Sequence, residues 1–141
     1  MTITVTAART SSTAPPGAFF ERWADVATWP EWNTDTEWVR LDGPFGQGTT
    51  GTLKPRGGPK VRFTVERLVP GQEFLDVSRL AGARLVFDHR VRAHDGGCEV
   101  DVEIRMSGPL ARLWLLGLGK GLRASVQQDL DALARAAERA A

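Results

Sequence analysis

The sequence predicts an α+β fold in which a curved antiparallel sheet grips one long C-terminal helix. Three observations carry this expectation. The last quarter of the chain, from Gly108-Pro109 through Leu110 to Ala141, keeps helical periodicity over its whole length. Between Asn33 and Ser107, short β-rich runs alternate with turn signals, which is the pattern of an antiparallel meander. Ahead of both come one alternating strand and two short helices rich in aromatics.

Taken in order, Thr2-Ile3-Thr4-Val5-Thr6-Ala7 alternates hydroxyl-bearing and apolar side chains, so Ile3, Val5 and Ala7 are expected inward on a half-buried strand. Ser11-Ser12-Thr13-Ala14 supplies capping residues, and Pro15-Pro16 presets the first turn of a helix carrying Phe19, Phe20 and Trp23. Asp25 is placed to cap a second short helix, Val26-Ala27-Thr28-Trp29, which Pro30 ends by withholding a backbone donor.

Strands follow near Glu37–Asp42, Thr49–Lys54, Lys60–Leu68, Glu73–Leu80, Arg84–His94 and Cys98–Ser107, with turns at Gly43-Pro44, Arg56-Gly57-Gly58-Pro59, Pro70-Gly71, Ala81-Gly82 and Asp95-Gly96-Gly97. The last two alternate most cleanly. Leu85, Phe87, His89, Val91 and Ala93 share one face, as do Cys98, Val100, Val102, Ile104 and Met106. The opposite faces carry Arg84, Asp88, Arg90 and Arg92 beside Glu99, Asp101, Glu103 and Arg105, rows suited to pairing across a solvated surface.

The final helix would be roughly 45 Å long. Leu115, Leu118, Leu122, Val126, Leu130, Leu133 and Ala137 form one stripe, with Lys120, Gln127, Gln128, Asp131, Arg135 and Glu138 opposite. Leu110, Leu113, Trp114 and Leu116 make its beginning apolar nearly all round, a surface that a loop, a ligand, a second subunit or a membrane must cover. Loop plus ligand is the expected cover, and a homodimer stays open.

Composition narrows the function. A chain of 141 residues with 42% hydrophobic and 25% charged residues fits a single domain over residues 1–141. Its formal net charge of +1 leaves no electrostatic footprint, so no nucleic-acid partner is expected. Cys98 is the only cysteine, which excludes an intrachain disulfide and suits a reducing compartment. No stretch reaches the length of a membrane span and no basic–apolar leader opens the chain, so a cytoplasmic location is expected. Gly46-Gln-Gly48-Thr-Thr-Gly51 matches the dinucleotide fingerprint in form, but no helix can follow it before Pro55 and Pro59, so it reads as a turn. The glycines at 117, 119 and 121 mark a bend in the helix or a close approach. No nucleophile elbow, phosphate loop or metal-ligand cluster is present, and neither cofactor nor metal is expected.

The order of elements and three local motifs resemble a known family. Phe19-Phe20-x-x-Trp23-x-Asp25-x-x-x-Trp29-Pro30-x-Trp32, the Asp95-Gly96-Gly97 hairpin and the Ser107-Gly108-Pro109-Leu110 junction are similar to the SRPBCC (START / polyketide cyclase–dehydrase) superfamily. The resemblance covers essentially the whole chain and implies a helix-grip fold, in which a seven-stranded antiparallel sheet wraps the C-terminal helix around a deep apolar cavity. Such proteins bind lipids, sterols, polyketides or hormones, and some catalyse cyclisation, dehydration or hydrolysis.

Candidate site residues follow from inward parity and family position: Trp32, Phe63, Val65, Phe87, His89, Leu118 and Leu122. His89 reads either as a partly buried histidine satisfied by a neighbour, or as a group that orients a ligand or moves a proton. His94 lies beside the hairpin turn and reads as an exposed edge residue. Asp76 is a second catalytic candidate whose phase is open: it is a surface carboxylate if Leu75 and Val77 face in, and a buried acid if Phe74, Asp76 and Ser78 do. The expected function is binding or carriage of a small hydrophobic molecule of lipid, polyketide or aromatic type. The alternative is a cyclase or dehydratase in which His89, with an acid such as Asp76, moves protons on a bound ketone or enol. An interaction module using the apolar start of the last helix is a third reading.

Overall fold

A computed structural model describes residues 2–140; Met1 and Ala141, where the sequence places the helix end, lie outside the described residues. The chain runs β1 (Thr2–Ser12), α1 (Pro16–Ala24), a 3-10 turn (Val26–Thr28), α2 (Trp29–Trp32), β2 (Thr36–Leu41), β3 (Thr50–Pro55), β4 (Val61–Val69), β5 (Glu73–Leu80), β6 (Ala83–His94), β7 (Gly97–Ser107) and α3 (Ala111–Ala140). The seven strands form one antiparallel sheet in the order β1-β7-β6-β5-β4-β3-β2. Strands β2 to β7 are a simple meander, and β1 adds to the far side of β7. The chain between β1 and β2 must therefore cross from one sheet edge to the other, and α1 and α2 make that crossing.

Helix α3 lies mainly against β1, with lighter contact to β7 and β6. Two of its polar side chains tie down the edge strand: Arg123 Nε donates to the Val5 carbonyl (3.2 Å) and Gln127 Nε2 to the Arg9 carbonyl (3.0 Å). Those bonds occupy carbonyls that an edge strand would otherwise offer to a foreign strand. Leu130, Leu133, Ala134 and Ala137 are buried, so the second half of the helix is core. The first half is different. Leu110, Leu113 and Leu116 are 42%, 62% and 85% exposed. The helix runs continuously through the glycines at 117, 119 and 121; Gly117 and Gly121 are exposed, whereas Gly119 is buried where an added Cβ would meet the Arg123 guanidinium at 2.9 Å.

Four local expectations are corrected. Register slips between Thr4 and Thr6 where β1 meets β7, and this bulge inverts the alternation, leaving Ala7 exposed and Ala8 buried. The serines at 11 and 12 belong to β1, and α1 starts from Pro15 without a side-chain cap; the Ser12 hydroxyl instead accepts from the Ala14 amide (3.1 Å). Pro30 opens α2 rather than ending a helix, because proline in the first turn forfeits no hydrogen bond, and Asp25 makes no side-chain cap. Near the end of β6, Ala93, expected inward, is exposed although its partner Cys98 in β7 is buried.

Two glycines set the sheet's shape. Asp95 (φ 40°) and Gly96 (φ 80°) both take the left-handed conformation that a tight two-residue hairpin requires. Gly51 in β3 lies where an added Cβ would meet the Phe63 ring and the Arg40 carbonyl oxygen at 2.7 Å. On the outer face the charged rows pair as the alternation predicts: Arg92 with Glu99, Arg105 with Glu103 (2.6 Å), Arg90 and Arg105 with the buried Asp88 (3.2 and 3.3 Å). Open depressions on this face are lined by these paired groups.

Candidate ligand cavity

Strand register decides which side chains reach the interior. Phe74 pairs with His89, Asp76 with Phe87 and Ser78 with Leu85, so these six share the face that looks toward the helices. The phase left open for β5 is thereby settled, with Phe74, Asp76 and Ser78 turned inward and buried. Between this wall and α3 lies a cavity of about 260 Å³. Leu85, Phe87 and His89 of β6 and Val102 and Ile104 of β7 form its floor. Leu118, Leu122 and Val126 of α3 form its roof, and Trp23 and Trp32 close one side.

His89 is the imidazole of this cavity. Its Nδ1 lies 2.8 Å from the Phe74 carbonyl oxygen. A carbonyl only accepts, so Nδ1 carries the proton and Nε2 keeps a free lone pair. The ring stacks on Phe74 at 4.8 Å between centroids and 10° between planes, and Trp23 packs at 5.1 Å. Burial among these rings pushes the imidazole pKa down to about 4, so the group is neutral at physiological pH. His94, by contrast, is exposed at the hairpin.

Asp76 is 7% exposed and sits between Val65 and Phe87 on the same wall. Among the described residues it has no hydrogen-bond or ion-pair partner, and burial alone pushes its carboxyl pKa up to about 8. It backs the cavity wall rather than lining it. The result is a neutral acid one diagonal step from His89 in the sheet, about 7 Å away by ordinary strand spacing.

The mouth is polar. Asn33, Asp35 and Thr36 of the α2–β2 connection face Ser125 and Asp129 of α3. Burial and the neighbouring Asp35 charge push the Asp129 carboxyl up to about 6, against the opposing pull of hydrogen bonds from Thr34. Asp129 Oδ1 is sealed from solvent without a partner, and so are the Nε1 donors of Trp23 and Trp32. Groups of this kind cost free energy unless something satisfies them.

Of the residues proposed from sequence, Trp32, Phe87, His89, Leu118 and Leu122 meet around this cavity. Phe63 and Val65 do not line it. Both are core residues, Phe63 stacked against Trp29 at 6.1 Å and Val65 opposite Asp76. Sequence reasoning missed Trp23, Ser78, Asp35 and Asp129. For Asp129 a signal existed: it follows Leu122 by seven residues and Val126 by three, which puts it on the helix face that carries the apolar stripe.

Residues 2–138 match the family model described as polyketide cyclase / dehydrase and lipid transport. Comparison with curated proteins yields no match. Among solved structures, the chain is similar to the KanY protein (TM-score 0.73, 19% identity, covering 98% of this chain and 99% of that one). It is also similar to Ara h 8.0201 (TM-score 0.69, 16% identity, covering 99% and 97%). A third likeness is to StfQ, the di-domain ARO/CYC of the steffimycin biosynthetic pathway (TM-score 0.70, 13% identity, covering 95% of this chain and 49% of that one). At these identities the likeness shows a shared helix-grip fold.

Proposed function

Because the chain belongs to the polyketide cyclase/dehydrase and lipid transport family of the SRPBCC superfamily, we propose that its cavity binds one small, mostly apolar molecule of aromatic or polyketide type, as a binding or carrier protein. The observation that carries this reading is the 260 Å³ space walled by aromatic and aliphatic side chains around one neutral imidazole. Ligand pockets usually span roughly 300–1,000 Å³. A volume just under that range suits a compact ring system and argues against a two-chain lipid. The likeness to an ARO/CYC di-domain supports the same choice of guest.

No helix among the described residues is long and apolar enough to cross a membrane, which agrees with a carrier that works in water. A second reading, proton transfer of the cyclase or dehydratase kind, is favoured by one observation: the bond to Phe74 fixes the His89 tautomer and leaves Nε2 as an acceptor facing the cavity. In that reading Nε2 takes a proton from an activated carbon of the guest, and protonated Asp76 is the acid nearest to it. The direct test is native mass spectrometry of the protein purified from its own host. A small-molecule adduct present in the native chain and lost in Leu122→Trp, which fills the cavity, supports binding. An adduct that survives the filling would place the guest elsewhere. Conversion of a bound polyketide by the protein at catalytic concentration would replace the carrier reading with the enzymatic one.

A further inference from the structure

The large apolar side chains that stand exposed are not scattered. Among the described residues they are Leu110, Leu113 and Leu116, all at the start of α3. A single exposed leucine is ordinary, whereas a cluster marks a contact surface. The Ala81-Gly82 turn between β5 and β6 docks beside them: the Leu110 amide donates to the Gly82 carbonyl (2.9 Å) and Trp114 Nε1 to the Ala81 carbonyl (2.7 Å). That turn covers part of Leu110 and leaves Leu113 and Leu116 open. The same helix segment turns Leu118 and Leu122 to the cavity, so it is apolar on both faces, unlike an ordinary surface helix.

The charge around this patch has one sign. From Arg105 to Gln128 the chain carries no aspartate or glutamate, and none occurs from Val77 to Phe87. Lys120, exposed, follows Leu113 by seven residues and Leu116 by four, so it shares their helix face. At the base of the turn, Arg62, Arg79 and Arg84 stand opposite one another on three neighbouring strands, where like charges repel. Arg62 is offset by Asp42 and Arg84 by Glu66, each at 2.7 Å. Arg79, between them, is exposed and has no ion-pair partner among the described residues, and neither has Lys120. Three strand residues separate Arg79 from Gly82, about 10 Å. The unpaired cations and the leucines therefore belong to one end of the molecule.

We infer that this end docks on the surface of an anionic lipid bilayer, with Leu113 and Leu116 entering the headgroup–acyl boundary and Lys120 and Arg79 meeting lipid phosphates. Helices lie on such a surface when apolar burial and attraction to anionic headgroups act together. A second copy of the chain fits less well, because a two-fold contact would set the cations of each patch against their own copies. Docked in this way, the helix segment that roofs the cavity faces the lipid. The inference goes beyond the cavity reading and does not depend on it.

The test co-sediments the full chain, without any guest, with vesicles of phosphatidylcholine alone or with phosphatidylglycerol added to about one-third. Binding to the anionic vesicles is expected to be at least about tenfold tighter, the effect of two basic residues at such a surface. The preference should collapse between about 0.05 M and about 0.5 M salt. Arg79→Gln with Lys120→Gln should weaken anionic binding by about tenfold. Leu113→Gln with Leu116→Gln should weaken it by about tenfold or more, and the charge pair carries the test if the leucine pair does not fold. If the wild type binds neither vesicle or both alike, or if a folded variant pair leaves anionic binding unchanged, the inference is overturned. Sedimentation velocity without vesicles supplies the remaining outcome: a concentration-dependent dimer abolished by the leucine pair would assign the patch to a second copy and overturn it as well. Each of these failures leaves the cavity reading standing, because no guest is present.

Discussion

His89 donates from Nδ1 to the carbonyl of Phe74, the residue directly opposite it in the β5–β6 pair, while the two rings stack face to face. One contact thus fixes the tautomer, orients the ring and leaves Nε2 for the cavity. Its energetic signature is pH-dependent. The folded-state pKa lies at about 4, below the ordinary 6.5. As pH falls from about 6.5 toward about 4, the unfolded chain takes up a proton that the folded chain refuses, so this group's contribution to stability is lost across that window. His89→Phe keeps the ring and removes the titration. Urea midpoints at a series of pH values should show the wild type losing stability relative to His89→Phe between those limits, and a pH-independent difference would contradict a buried neutral imidazole.

Asp76 has the opposite sign. Its folded pKa of about 8 exceeds the ordinary carboxylate value. Between about pH 4 and 8 the folded state holds a proton that the unfolded chain has released, so stability falls as pH rises through that range. Asp76→Asn removes the penalty for ionising in an apolar wall. It should stabilise the protein on the order of a few kcal/mol at pH 8, with the gain shrinking to nothing near pH 4. A variant less stable than wild type at pH 8 would mean that the carboxylate has a partner.

Much of this was legible in the sequence for simple physical reasons. Period-2 alternation placed Phe87 and His89 on the inner face of β6, and the 3.6-residue stripe placed Leu118 and Leu122 on the helix face that roofs the cavity. What escaped depended on tertiary register. The β5 phase could not be read because its two rows are about equally apolar, and only pairing with β6 turns Asp76 inward. The β1 bulge, which exposes Ala7, comes from its match to β7 and leaves no local mark. Phe63 and Val65 share the correct face but lie beyond the cavity, because the aromatic cluster around Trp29 fills that end of the sheet.

Gly51 is a packing requirement rather than a turn. A methyl at that position would lie 2.7 Å from both the Phe63 ring and a backbone oxygen of β2. The ring can give a little and the backbone cannot. Gly51→Ala should destabilise by about 1–3 kcal/mol, measured by urea unfolding. Gly117→Ala, on the open face of α3 with nothing within 4 Å of the added methyl, should stabilise by up to about 1 kcal/mol. Equal effects of the two substitutions would contradict the packing at β3.

Amide and methyl chemical-shift mapping during titration with 2-(2-naphthyl)ethanol tests the central claim, that the space between sheet and α3 is a ligand site, most directly. Perturbations should concentrate on Trp32, Phe87, His89, Leu118 and Leu122, and spare Arg92 and Glu99 on the outer face. Saturable shifts confined to the outer face or to the exposed Leu113 and Leu116, with the cavity residues unmoved, would contradict it.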